Sequence, residues 1–279
     1  MAVRKGSFKW PQSITATCWT GLGAEVYGSW LPVLGEKTGM RTRLIPTFDT
    51  VSRFRWLRFG LVDMTAGGPT VISQMLEGNR RYSKRDSGPF QFRAFWAQSK
   101  TNSGYMVRGD SYIKTTDDIR PGIRVVDMRS YLANQRILEA FLVWGGHIKD
   151  LEKEVVWVPA ENIERKAQLV IDGKADLAFV SPTSQTTCDA EKKPYGIRWV
   201  EVNPEKEPEG ARRFLKVDPL VTFGPMIYGT ASCIGKWGTV GISLFCTRAD
   251  TDPEFVYHLA KWLDENWAKY RDLHSWNKY

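Results

Sequence analysis

SITATCWTGLG at residues 13–23 and GIRVVDMRS at residues 122–130 follow one architectural pattern. In each, an apolar run with strand-like alternation stops at a polar turn, Thr20-Gly21-Leu22-Gly23 in the first and Arg129-Ser130 in the second, and an amphipathic stretch follows. A strand that feeds a turn and then a helix points backbone N–H groups at whatever lies above the turn, so two such ends facing one another would form a cleft for a small anion.

The pattern continues outward from both anchors. After the first come a helix from about Gly23 to Gly35, a strand Arg41 to Pro46, a helix Thr50 to Phe59 with Asp49 placed to cap it and Gly60 to end it, and a strand Leu61 to Thr65. A further helix, Pro69 to Glu77, closes this unit. After the second anchor come a strand Arg124 to Asp127, a helix Tyr131 to Trp144, a strand Glu154 to Val158, a helix Glu161 to Asp172 and a strand Ala175 to Val180. Even the tails agree, since Arg58-Phe59-Gly60-Leu61-Val62-Asp63 is echoed by Ile171-Asp172-Gly173-Lys174-Ala175-Asp176-Leu177. Alternating strands and helices argue for an α/β fold with parallel neighbours.

Two strand-like runs, Gln91 to Gln98 and Ser103 to Arg108, read as the way out of the first unit. Pro194 to Trp237 is rich in Pro and Gly and poorly periodic. Thr239 to Thr247 then reads as a buried strand, and Asp252-Pro253 starts a long helix that should pack on the first unit. The expected organisation is two α/β lobes, residues 1–108 with 237–279 and residues 109–236, joined by a two-strand hinge that closes about a ligand.

Composition narrows the function. The 279 residues are 42% apolar, enough for a full core, and no run approaches the roughly 18 apolar residues of a membrane span. The opening MAVRKGSFKW lacks the apolar core of a secretory signal, so the protein either works in the cytoplasm or acts outside it after losing a leader that is not in this sequence. A net charge of +8 favours acidic ligands, but the basic residues are spread out rather than gathered along one element, which argues against nucleic acid. The four cysteines show no CxxC spacing and only three histidines could join them, so no metal is expected; whether the cysteines pair is open. Cys188 has no nearby histidine, which leaves little support for nucleophilic catalysis.

Taken together, ITATCWTGLGAEVYG (14–28), TFDTVSRFRWLRFGLVDMTAG (47–67), SYIKTTDDIRPGIRVVDMRSYLANQRILEAF (111–141), AQLVIDGKADLAFVSPTS (167–184) and GTVGISLFCTRADTDPEFVYHLAKWLDENW (238–267) resemble the TAXI family of solute-binding receptors of tripartite ATP-independent periplasmic (TRAP) transporters. The resemblance implies a bilobed periplasmic-binding-protein type II fold, no catalysis and no cofactor. It also implies an extracytoplasmic monomer whose partners are a small organic acid and integral membrane TRAP permease subunits. The family's Gly-Ser-x-x-Asn helix opening is here Asp49-Thr50-Val51-Ser52-Arg53, and its Gly-Ser-Gly-Thr turn is replaced around Asp127-Met128-Arg129-Ser130.

These departures single out ligand candidates. Arg53 falls in the first turn of its helix, where a cation opposes the dipole, and an arginine there can offer a two-pronged fork to a carboxylate. Arg129 and Ser130, at the turn before the second-lobe helix, are read as its mirror, with Ser130 alternatively a helix cap. Trp19 and Thr20 emerge at the C-terminal end of the first strand, where α/β sheets place ligands, with Thr50 and Gly68 at neighbouring loop ends. Ser181 and Thr183 end the corresponding second-lobe strand, and Tyr228 in PMIYGT either closes over ligand or packs at the hinge. The expected function is capture of a small carboxylate, with the aromatic content pointing to one that bears a ring. The alternatives are a receptor of an ATP-dependent (ABC) importer, a sensing domain of the same fold, or, furthest off, an enzyme on this scaffold.

Overall fold

The computed structural model describes residues 8–83, 88–129, 131–160 and 165–278. Along the chain the elements are β1 (Ser13–Cys18), α1 (Leu22–Thr38), β2 (Arg41–Pro46), α2 (Thr50–Arg58), β3 (Met64–Gly67), α3 (Pro69–Leu76), β4 (Phe92–Arg108), β5 (Ile123–Val126), α4 (Leu132–Leu142), α5 (Leu151–Glu154), β6 (Val155–Val158), α6 (Lys166–Ile171), β7 (Ala178–Val180), α7 (Gln185–Glu191), β8 (Ile197–Val200), α8 (Pro208–Val217), β9 (Thr222–Pro225), β10 (Trp237–Arg248), α9 (Pro253–Glu265) and α10 (Trp267–Tyr270). The chain separates into two compact units, the first comprising Met1–Gly67, Ile72–Ser99 and Ser243–Tyr279, the second Gly68–Val71 and Lys100–Ile242. The boundaries fall inside β4 and β10, so both strands run from one unit into the other.

In the first unit β1 pairs in parallel with β2 on one side and with β3 on the other, and the last part of β10 runs antiparallel to β3, Phe245 opposite Ala66. Ile14, Ala16 and Cys18 point to one face, where Tyr27 and Trp30 of α1, Phe245 of β10 and Leu259 and Leu263 of α9 bury them. Trp30 and Phe245 stack with centroids 5.3 Å apart, and Tyr27 packs 4.8 Å from Phe245. The helix read from Asp252-Pro253 thus covers the first unit, as its apolar stripe requires.

In the second unit β5 pairs in parallel with β6, and β4 lies between β7 and β8, antiparallel to both. Tyr105 of β4 stacks on Phe141 of α4 at 3.6 Å, both fully buried. The carboxylate of Glu207 accepts from Thr116 Oγ1 and from Trp144 Nε1, each at 2.6 Å, and ties three segments together.

The duplicated tail is one structural motif used twice. α2 ends with Leu61 N donating to Trp56 O at 2.9 Å and Gly60 N to Leu57 O at 3.1 Å; after α6, Lys174 N donates to Leu169 O at 2.9 Å and Gly173 N to Val170 O at 3.0 Å. Gly60 at φ 68° and Gly173 at φ 69° supply the left-handed residue that this helix ending needs. The aspartate three residues on then clamps the unit's first strand. Asp63 N donates to Thr15 O at 2.8 Å while Thr15 N donates to Asp63 Oδ2 at 2.6 Å, and Asp176 N donates to Arg124 O at 2.7 Å while Arg124 N donates to Asp176 Oδ2 at 2.9 Å. The register beyond the clamp agrees too, Ala16 opposite Met64 and Val125 opposite Leu177.

Three readings are corrected. The runs Gln91–Gln98 and Ser103–Arg108 belong to a single strand, β4, which continues through the polar residues between them. Pro194–Trp237 carries regular structure, β8, α8 and β9; Pro208 starts α8 and Gly210, Ala211 and Phe214 form its buried stripe, a pattern too narrow to register in a Pro- and Gly-rich window. The strand expected from Ala175 begins only at Ala178, the preceding residues being spent on the aspartate clamp. Of the helix expected over Glu161–Asp172, residues 161–164 lie outside the described residues and α6 supplies the remainder.

All four cysteines are free thiols. Burial pushes the thiols of Cys18 and Cys246 up to about 12, with Arg53 pulling Cys18 partly back. A thiol raised in the folded state stabilises the fold fully below the pKa of an unfolded cysteine and progressively less as pH rises toward the folded value. Stability is therefore expected to decline from about pH 9 upward, and at pH 8 a thiol reagent should modify the half-buried Cys188 first, with Cys18, Cys233 and Cys246 reacting only as fast as the chain opens. Counting modified thiols against time with a chromogenic disulfide reagent checks this; early modification of Cys18 or Cys246 contradicts it.

Candidate functional site

In the first unit the C-terminal ends of β1 and β2 bring Trp19, Thr20, Thr50 and Arg53 to one edge of the sheet. Asp49 caps α2, accepting from Val51 N at 3.2 Å and from Ser52 Oγ at 2.6 Å, and pairs with Arg81 at 3.3 Å. The cap places Arg53 one turn in, and its guanidinium turns back over the strand ends. Nη1 donates to Thr47 O at 3.2 Å, Nη2 donates to Thr50 Oγ1 at 3.3 Å, and the Trp19 ring lies 5.9 Å from Cζ. Arg53 is only 4% exposed. Its charge reaches its neighbours, opposing the upward push that burial gives Cys18, Tyr27 and Tyr82.

Trp19 is itself held from two further sides. A Cβ on Gly23 would stand 2.6 Å from the indole, so the ring rests on the bare backbone of α1's first turn, and Trp276 packs against it at 6.4 Å. The segment carrying Trp276 is fastened to the unit by Asn277, whose side chain donates to Ser29 Oγ at 2.9 Å and to Tyr270 O at 2.8 Å. Phe48, on the loop that leads into α2, is 57% exposed and stands outside any periodic run of the sequence.

The second unit places its candidates in two groups. Arg129 lies over the Trp157 ring at 5.5 Å, with Nε 3.1 Å from the carboxylate of Asp127, whose other oxygen accepts from Arg129 N at 2.7 Å. Ser130 lies outside the described residues. Ser181 and Thr183 share a hydrogen bond of 2.9 Å after β7, and Thr230 N donates to Pro182 O at 3.0 Å, which brings the Tyr228 segment beside them. Tyr228 is buried; its hydroxyl donates to Lys100 O and accepts from Asn102 N at 3.2 Å, anchoring that segment to β4. Gly68, before α3, clusters with the second unit and lies 3.6 Å, measured from a built Cβ, from Ile242 O. Among the described residues no three His, Cys, Asp or Glu side chains gather as a metal-binding group, and no helix is long and apolar enough to cross a membrane.

The duplication corrects one pairing. Counted back from the clamping aspartates, Arg53 is matched by Lys166, ten residues before Asp176 as Arg53 is ten before Asp63. Counted forward from the clamped strand residues Thr15 and Arg124, Arg129 corresponds to Thr20. Arg129 is therefore no mirror of Arg53. The signal for this register in the sequence is the echo at Gly60 and Gly173.

No protein-family model matches the chain, and no curated protein matches it. Solved structures do. The chain is similar to the binding protein component of an ABC phosphonate transporter from Pseudomonas aeruginosa, with TM-score 0.60, 11% identity and coverage of 95% of this chain and 79% of that one. It is similar to an ancestral amino acid-binding protein, a precursor of cyclohexadienyl dehydratase, with TM-score 0.59, 14% identity and 95% of both chains covered. A substrate-binding protein of an amino acid ABC transporter gives TM-score 0.51 at 13% identity over 96% of this chain and 100% of that one. These likenesses show the fold: it is the bilobed periplasmic-binding-protein type II fold.

Proposed function

We propose that this protein is an extracytoplasmic solute-binding receptor that captures a small organic anion, a carboxylate and in the favoured case one bearing a ring, and delivers it to a membrane permease. The observation that carries the reading is Arg53, a cation set at the C-terminal edge of a parallel sheet with its fork on Thr47 and Thr50 and an indole against it, a place where α/β sheets receive ligands. Trp19, Thr20, Thr50 and Arg53 serve the ligand from the first unit; Gly68, Arg129, Ser130, Ser181, Thr183 and Tyr228 serve it from the second. The sequence blocks support a TRAP permease of the TAXI class as the recipient. The likeness to receptors of amino acid and phosphonate importers favours an ABC permease as the second reading.

Thermal unfolding of ligand-stripped protein against aliphatic and aromatic carboxylates, amino acids and phosphonates tests the proposal. A ligand at a hundred times its Kd stabilises the native state by about 2.7 kcal/mol, which in a chain of this size raises Tm by about 5 °C. One class of anion should produce such a shift and be recovered chemically unchanged. Absence of a shift with every anion, or turnover of the compound that binds, sinks the receptor reading.

A further inference from the structure

Within the first unit, residues 271–278 lie against α1 and the loop before it. The Trp276 ring packs 6.4 Å from Trp19, which itself rests on Gly23; His274 Nε2 stands 3.6 Å from the Glu25 carboxylate; and Asn277 Nδ2 donates to Ser29 Oγ at 2.9 Å. Asn277 is the fixed end of this segment. Its side chain also donates to Tyr270 O at 2.8 Å and accepts from Gln98 Nε2 at 3.2 Å, and its carbonyl accepts from Trp267 Nε1 at 2.6 Å. At the other end His274 Nδ1 accepts from Trp276 N at 3.1 Å, closing the turn that presents the Trp276 ring, while Asn277 N donates to His274 O at 3.0 Å. Both tryptophan contacts and the imidazole contact therefore fall at the start of α1, beside Arg53 and the strand ends.

We propose that residues 271–278 form a pH-sensitive strap on Trp19, closed while His274 is neutral and released when it is protonated. Nδ1 accepts from Trp276 N only when it carries no proton, so the neutral ring keeps its single proton on Nε2, toward Glu25. A second proton, on Nδ1, sets two donors against each other, and the turn loses its hydrogen bond. Glu25 faces the ring from α1 and favours the protonated form, but it is 64% exposed; on the strap itself Arg271 and Lys278 both pair with Asp272. Burial opposes the charge more strongly and holds His274 below the ordinary histidine value of 6.5. The hydrogen bond of the strap therefore contributes fully above about pH 6.5 and is lost as pH falls through the lower, folded value. Release takes Trp276 away from Trp19. What that does to ligand rests on the receptor reading above, whereas the strap itself does not.

The test is hydrogen exchange on the full-length protein at pH 7.5 and pH 4.5, with the His274 ring protons followed by NMR between them. Protection of the Trp276 and Asn277 amides, corrected for the pH dependence of chemical exchange, should fall at least tenfold as the ring titrates, while that of β1 stays within about twofold. His274→Asn, whose Oδ1 can take the place of Nδ1 without titrating, should keep both amides protected at both pH values, and His274→Ala should lose the protection at both. Unchanged protection in the wild type once His274 has titrated, a ring still neutral at pH 4.5, or an equal fall in His274→Asn overturns the strap. The first two are read on wild-type protein, so poor folding of a variant cannot imitate them. Calorimetric titration with benzoate at pH 7.5 reads the consequence for the site: His274→Ala should bind at least threefold more weakly than the wild type, and His274→Asn should match it. Equal affinity in all three proteins overturns the link from strap to ligand. Absence of heat with the wild type counts against the receptor reading and leaves the strap to be decided by the exchange result.

Discussion

Arg53→Met is expected to weaken binding of the anion that most stabilises the wild type by at least about thirtyfold, near 2 kcal/mol, the lower end of what truncating one partner of a buried charge pair costs. Stability without ligand should fall by no more than about 1–2 kcal/mol. Arg53 now donates to a carbonyl and a hydroxyl and lies against an indole, and a methionine of similar reach keeps the apolar contact with Trp19 while removing the need to desolvate a charge. The hydrogen bonds lost are worth about 1–3 kcal/mol, and the desolvation avoided offsets part of that. Arg53→Lys keeps the charge without the fork and should fall between the two in affinity. Calorimetric titration of the three proteins, with their urea midpoints, separates the roles. A large fall in midpoint with unchanged affinity would make Arg53 a strut for the loop after β2, and the anion would then have to be held by other groups.

The duplication could be read from the sequence because it rests on residues with few substitutes. A helix ending that needs a left-handed residue asks for glycine at 60 and 173, and a strand clamp that accepts a backbone N–H asks for a carboxylate at 63 and 176, so both marks survive in a chain whose units otherwise share little. The environment of Arg53 was less legible. Its place in a first turn was plain from the Asp49 cap, but that the guanidinium folds back onto Thr47 depends on the path of the loop after β2, which no periodicity records. The pairing of Arg129 with Arg53 failed because both were counted from the nearest turn, whereas the fold repeats from its aspartate clamps. Trp276 was out of reach for a different reason. Its contact with Trp19 joins positions more than two hundred and fifty residues apart, and a lone tryptophan near a chain end carries no mark of what it touches.

Gly229→Ala is expected to cost about 3 kcal/mol or more. Gly229 has φ 125°, where an L side chain is strained, and a Cβ there would lie 2.6 Å from Pro182 Cβ and 2.8 Å from Pro182 O. The backbone strain accounts for about 1–3 kcal/mol and the overpacking for a similar amount. Gly235→Ala separates the two, since Gly235 has φ 80° and nothing within 4 Å of a built Cβ, so it should pay the conformational cost of about 1–2 kcal/mol alone. The difference between the urea midpoints of the two variants, at unchanged m, measures the contact with Pro182. That contact matters beyond stability. Thr230 N holds Pro182 O at 3.0 Å, and Pro182 lies between Ser181 and Thr183, so forcing the segments apart displaces the hydroxyl pair. If that pair serves the ligand, Gly229→Ala should weaken anion binding at temperatures where it is still folded, and Gly235→Ala should not. Equal affinity in both would mean that the Tyr228 segment braces the second unit without setting its ligand contacts.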